Sequence, residues 1–187
     1  MLKTKDILDE SDKRLRVISK EVEFPLSKKD QELLDTMIEY LHDSQIEELS
    51  EKYDLRPGMG MSAIQLGVAK RMFVVVNEIT EEDSDEQEFE TYILINPKII
   101  SNSMEQIYVE DGEGCLSVNR PVEGIVPRYA RVTVEAYDEK GRKIHVRGRE
   151  ELAVCFQHEL DHLNGILFVD HIDSKNPYKG KDQMRAI

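Results

Sequence analysis

The chain lacks most of what marks a secreted, membrane-bound or nucleic-acid-binding protein. It has only two cysteines, Cys115 and Cys155. Two thiols do not build a disulfide framework, so each is free to be a ligand or a core residue, and a cytoplasmic setting is expected. No run approaches the ~20 apolar residues that a membrane span requires. The opening residues, Met1 to Asp6, hold no apolar segment of the signal-peptide kind. Positive charge is scarce: 25 Lys and Arg stand against 38 Asp and Glu, a formal net charge of -13. Such a surface repels phosphate backbones, and general nucleic-acid binding is not expected.

What is present is enough for a globular core. With 187 residues, 40% of them hydrophobic, the chain reads as a single domain over 1-187, without repeats or linkers. Residues 1-26 read as an irregular arm, with Leu15, Val17, Ile18, Val22 and Phe24 as anchors. Ser27 has the character of an N-cap, with Asp30 placed as in a capping box. The stripe Leu33, Leu34, Met37, Ile38, Leu41, Gln45, Ile46 and Leu49 predicts one long helix to about Lys52. Arg71 to Asn77 is β-branched enough for a strand, and Tyr92 to Pro97 is a second, with residues 98-101 as an extension. The acidic run 78-90 between them reads as an exposed loop. Gln106 to Val109 is a weaker strand. Arg131 to Tyr137 and Lys143 to Arg147, turned by Glu139-Lys140-Gly141, form a hairpin. The tail from Asp173 contains Pro177 and Gly180, which argues against a long terminal helix.

Chemistry concentrates at His158-Glu159-Leu160-Asp161-His162. The surrounding apolar spacing predicts a helix from about Glu150 to a stop at Gly165. Residues four apart share one face of a helix, so two imidazoles can reach one metal ion while Glu159 lies beside it to handle protons. The plainer reading is two histidines satisfied within a core. A catalytic metal usually takes a third protein ligand. Downstream, Phe168 stands where longer motifs carry a third His, no Glu follows Glu159, and Asp170, His171 and Asp173 match no pattern. Cys155 shares the stripe, but lies seven residues from His162, about 10.5 Å along the axis. A core role suits it better. Cys115 sits in a glycine-flanked loop that can bend to the helix, which favours the set Cys115, His158 and His162.

At this point three stretches resemble a known family. Gly58-Met59-Gly60-Met61-Ser62-Ala63-Ile64-Gln65, Glu113-Gly114-Cys115-Leu116-Ser117 and His158 to His162 are similar to the GxGxAAxQ, EGCLS and HExDH motifs of peptide deformylases. The second and third match fully. The order and spacing match, and the similarity spans nearly the whole chain. The acidic helix, the insertion near 78-90 and the short polar tail resemble the Gram-positive, type II branch. The first motif departs: Ser62 replaces the usual Ala and Ile64 the usual Pro, a change expected to bear on the shape of the substrate cleft.

The resemblance implies an α+β fold, with the HExxH helix packed against antiparallel β-sheets. It implies a metal-dependent hydrolase that removes the N-formyl group from the formyl-methionine of new polypeptides and releases formate. Cys115, His158 and His162 would hold one divalent ion, Fe2+ in the cell, with Ni2+, Co2+ or Zn2+ able to replace it. Glu159 would move protons, and the Gln65 amide and Leu116 N–H would stabilise the oxyanion. Met59, Gly60, Met61, Glu113 and Gly114 would contact substrate, and Val154 would wall the methionine pocket, with simple core packing as its other reading. The expected partners are formylmethionyl nascent peptides. A weak ribosome contact through Lys175, Lys179, Lys181 and Arg185 is set against a merely solvated end. A monomer is expected. The rival functions are a metalloendopeptidase and a non-enzymatic zinc module closed by Cys115, Cys155, His158 and His162.

Overall fold

The structure is a computed structural model that describes residues 1-80, 84 and 87-187. Helices α1 (Lys28–Gln45) and α2 (Glu47–Tyr53) precede β1 (Gly60–Ser62), β2 (Met72–Glu78), β3 (Phe89–Asn102) and β4 (Gln106–Tyr108). Then come β5 (Arg128–Tyr129), β6 (Arg131–Tyr137), β7 (Lys143–Arg149), α3 (Glu150–Leu163) and β8 (Arg185–Ala186). The main sheet has the order β1-β2-β3-β6-β7 and is antiparallel throughout. A smaller sheet runs β5-β4-β8, in which β4 pairs antiparallel with β5 and parallel with β8.

The main sheet is covered on both faces. Met72, Val74, Val76 and Ile95 pack with Leu34, Met37 and Leu41 of α1. Phe73, Val75, Leu94, Val132 and Val134 pack with Ala153, Phe156, Leu160 and Leu163 of α3. A strand buried on both sides needs an apolar residue at every position, which is why Met72 to Val76 is a continuous run rather than an alternation. The α+β arrangement is therefore three layers, with α3 clamped against the sheet that carries β1.

The long helix expected to Lys52 is broken at Ile46, whose backbone is extended. Ser44 and Gln45 side chains both donate to the Leu41 carbonyl, and Gln45 also donates to Val76 O at 2.9 Å. Polar side chains that bond the local backbone compete with helix continuation. The second strand extends through Pro97 to Asn102, because register shifts between Ile95 and Lys98 relieve the proline of a ladder bond. The acidic loop is bounded by the pair Glu78–Phe89, so its ends belong to strands; residues 81-83, 85 and 86 lie outside the described residues.

The arm of residues 1-26 contains two short 3-10 turns. Leu15 and Val22 are buried as expected, but Val17 and Ile18 are exposed. The arm's anchoring is largely through main chain: Leu8 N donates to Gln65 O at 2.8 Å, Glu10 N to Ser117 O at 2.7 Å and Ser19 N to Leu163 O at 2.9 Å. The last residues of the tail are docked on the body, while Lys175, Lys179, Lys181 and Arg185 stay exposed. Besides the β8–β4 pairing, Ile187 packs beside Ile107 and Val154, and Arg185 is ion-paired to Glu105 and Glu150. Lys179 pairs with Asp173, and Lys181 lies over the rings of Tyr108 and Tyr178.

Candidate metal centre and its cavity

α3 begins at Glu150 and ends at Leu163, with Gly165 at φ 72 completing the stop. A Cβ on Gly165 would meet Arg16 O at 2.5 Å, so both the backbone angle and the packing of the arm need glycine there. His158 and His162 share one face of α3 and meet edge to face, with ring centroids 5.1 Å apart. The loop after β4 brings Cys115 to them, and Cys115 Sγ lies 3.2 Å from His162 Nε2. One ligand atom from each of Cys115, His158 and His162 falls within 4.8 Å of the others, and all three residues are buried. A thiolate and two imidazoles form a borderline-soft donor set of the kind that divalent first-row metals accept.

The residues around this trio orient it. Glu113 Oε2 accepts from His158 Nδ1 at 2.8 Å, which fixes the tautomer and leaves Nε2 free to coordinate. Burial pushes the Glu113 carboxyl up, but His158 and Arg128 outweigh it and hold its pKa at about 2. Arg128 is itself buried, with both of its Glu113 contacts at 3.0 Å or less, and it also donates to Asp161 Oδ2 at 2.6 Å. Asp161 in turn pairs with His171 at 2.8 Å. Cys115 Sγ accepts from Ser117 N at 3.4 Å and from Gln65 Nε2 at 3.8 Å. Gln65 is held by Ser62 N, which donates to its Oε1 at 2.9 Å. Arg56 reaches across to the same loop, donating to the carbonyls of Cys115 and Val118 and to Asn119 Oδ1.

A cavity of about 360 Å³ opens onto this centre. Met59, Gly60, Gln65, Glu113, Gly114, Cys115, Leu116, Val154, His158 and Glu159 all line it, as do Arg56, Val109, Glu151 and Cys155. Burial raises the Glu159 carboxyl most, and although His158 and Ser62 lower it, it settles at about 6.

One expected substrate contact is corrected. Met61 does not line the cavity; it is fully buried in the α1 side of the core. Successive strand residues face opposite sides, so Gly60 and Ser62 face α3 while Met61 faces away. Glu113 lines the cavity, and both of its carboxylate oxygens are bonded, to Arg128 and His158. Val154 lines the cavity and also packs against Ile107 and Ala130. Cys155 stands outside the group of candidate metal ligands found among the described residues, so the four-ligand zinc module is not assembled. Ser62 and Ile64 do not shape the cleft surface: they are 0% and 1% exposed, and neither lines the cavity. Arg128, Arg56 and the arm were not legible as parts of the site, because lone arginines and main-chain pairings have no local motif.

The comparisons with known proteins converge. The family model described as polypeptide deformylase matches residues 4–178. A peptide deformylase of Macrococcus caseolyticus is 49% identical over 187 residues, covering 100% of both chains. Peptide deformylase 2 of Bacillus cereus is 45% identical over 187 residues, 100% of this chain and 99% of that protein. Among solved structures, the peptide deformylase from Ehrlichia chaffeensis in complex with actinonin aligns with a TM-score of 0.72 at 34% identity, over 90% of this chain and 88% of that one.

Proposed function

The chain belongs to the polypeptide deformylase family, and we propose that its chemistry is carried by Glu159, Gln65 and Leu116 beside a metal held by Cys115, His158 and His162. The enzyme is a metal-dependent hydrolase that removes the formyl group from the N-terminal formyl-methionine of newly made polypeptides. The observation that carries the residue assignment is the meeting of three buried S and N donors with a buried carboxylate and an amide donor at one cavity.

β1 is an edge strand of the main sheet, and its outer side is the side of the cavity. A peptide entering there pairs its backbone with the Gly58–Gly60 stretch in the manner of an added strand. The absence of a side chain at Gly60 lets β1 lie close to α3, since a Cβ there would meet Glu159 Oε1 at 2.6 Å and Cys155 Sγ at 2.7 Å. The methionine side chain fills the apolar part of the cavity beside Val109, Val154 and Cys155. That arrangement would bring the formyl group towards Cys115, His158 and Glu159, which line the same cavity. An ion bound there would supply a Lewis acid at the formyl oxygen and ease deprotonation of a water nucleophile. Glu159, more basic than an ordinary carboxylate, takes the proton as water adds to the formyl carbon. The Gln65 Nε2 and the Leu116 N–H donate to the developing oxyanion. Glu159 then passes the proton to the amine as the C–N bond breaks, which releases formate and the free N-terminus.

The donor set suits Fe2+ in the cell, with Ni2+, Co2+ and Zn2+ as alternatives. The whole chain acts as one catalytic domain, as a cytoplasmic monomer that meets its substrates as they leave the ribosome. A weak ribosome contact would fall to Lys175, Lys179, Lys181 and Arg185, which are all exposed on the tail. Among the described residues no helix is long and apolar enough to cross a membrane. The test is formate release from formyl-Met peptides by metal-replete protein, together with internal peptides carrying no formyl group. Cleavage of the internal amides instead would favour an endopeptidase.

A further inference from the structure

Ser62 is one of the two residues of the first motif that depart from the family pattern, and its position gives that departure a purpose. It is fully buried, and its hydroxyl has two acceptors, Glu159 Oε2 at 2.7 Å and Glu159 O at 3.0 Å. The other carboxylate oxygen, Oε1, faces the glycine strand: a Cβ on Gly60 would lie 2.6 Å from it. Ser62 and Gly60 sit two apart on β1, so one strand face presents both a hydroxyl that grips Glu159 and a bare Cα that makes room for it. A buried carboxylate without such a donor is costly and free to take other rotamers.

We propose that Ser62 is a positioning residue for the deformylation reaction, with its hydroxyl holding Oε2 of Glu159 so that Oε1 alone is turned into the cavity to exchange the proton. This rests on the reading of Glu159 as the proton carrier. Ser62 acts with two hands, because its backbone N–H also fixes the Gln65 amide at 2.9 Å. Only the hydroxyl is removed by Ser62→Ala; the main-chain bond to Gln65 stays.

The experiment compares wild type, Ser62→Ala, Glu159→Ala and the double variant, all metal-replete and prepared anaerobically. Steady-state formate release, bound metal and melting temperature are measured for each. Ser62→Ala is expected to lower kcat about three- to tenfold, as befits the loss of one hydrogen bond of ordinary net strength. Its KM should stay within about twofold, and its metal content should be unchanged. The melting-temperature loss caused by Ser62→Ala should shrink in the Glu159→Ala background, since the two residues are coupled. A kcat equal to wild type overturns the proposal, as does an equal melting-temperature loss in both backgrounds, which would mean that the hydroxyl serves only the Glu159 carbonyl. Ser62→Thr, which keeps the hydroxyl, should restore kcat; if it restores stability but not kcat, the proposal also falls. Failure of the underlying reading looks different: Glu159→Ala would then stay active, whatever Ser62→Ala does.

Discussion

Helices α1 and α3 lie on opposite faces of the same sheet, and both bury an apolar stripe against it. They differ in what else they bury. Over 18 residues, the buried polar side chains of α1 are Asp30, Ser44 and the tyrosine Tyr40. Each has a structural use: Asp30 bonds the Ser27 hydroxyl and Lys70, Ser44 bonds Leu41 O, and Tyr40 bonds Thr4 and Arg56. Over 14 residues, α3 buries Gln157, His158, Glu159 and His162. Gln157 is structural as well, its amide being paired both ways with Tyr129. The other three gather at the cavity with Cys115. Buried polar groups that secondary structure does not need are retained for chemistry at a cost in stability. The comparison therefore separates a helix that holds the fold from one that also holds the site.

Substitutions should fall on the two sides of that division. The largest effects are expected in α3 and the loop it meets. His158→Ala, His162→Ala and Cys115→Ser should lose bound metal and, with it, roughly 10³-fold or more of formate release, since a Lewis acid contributes several kcal/mol. Cys155→Ser should keep its metal and most activity. Metal analysis of the four variants checks this, and loss of metal from Cys155→Ser alone would exchange the two thiols. Next comes Arg128→Met, which leaves Glu113 buried without its cation. It should destabilise by about 3–5 kcal/mol and weaken metal binding by about 10–100-fold, read by denaturant unfolding and chelator competition.

On the α1 side, Leu41→Ala should cost about 2–5 kcal/mol of stability and leave kcat nearly unchanged at temperatures where the protein stays folded. A large kcat loss without unfolding would blur the division. The smallest effect is expected from Asp30→Asn, about 1 kcal/mol. Burial raises the Asp30 carboxyl, but Lys70 and Ser27 prevail and its pKa ends below the ordinary 3.8. A depressed acid contributes stability above its unfolded pKa and loses it as pH falls through the folded one. The difference between wild type and Asp30→Asn should therefore be full above about pH 4 and vanish at lower pH, as thermal melts across that range would show.

Much of this was legible in the sequence wherever the signal was local. The HExxH spacing, the apolar stripe of α3 and the stop at Gly165 each follow from helical geometry. The strand β2 was legible from its β-branched content, while its burial on both faces was not read from the run. Cys115 could be chosen over Cys155 by distance along a helix axis alone. What escaped was non-local. The break at Ile46 depends on a glutamine finding a carbonyl on β2, and the tail strand depends on an edge of β4 left open. Arg128 lies 33 residues from Asp161 and joins the site only because β5 packs on α3. Met61 was misplaced because motif membership was followed rather than strand alternation.

The division between ligands and proton carrier within one helix is the central claim, and bound metal in Glu159→Ala tests it most directly. Purified anaerobically beside wild type and His158→Ala, Glu159→Ala should carry the wild-type complement of metal while its formate release falls by about 10²–10⁴-fold. If Glu159→Ala loses its metal as His158→Ala does, or keeps both metal and activity, the claim is contradicted.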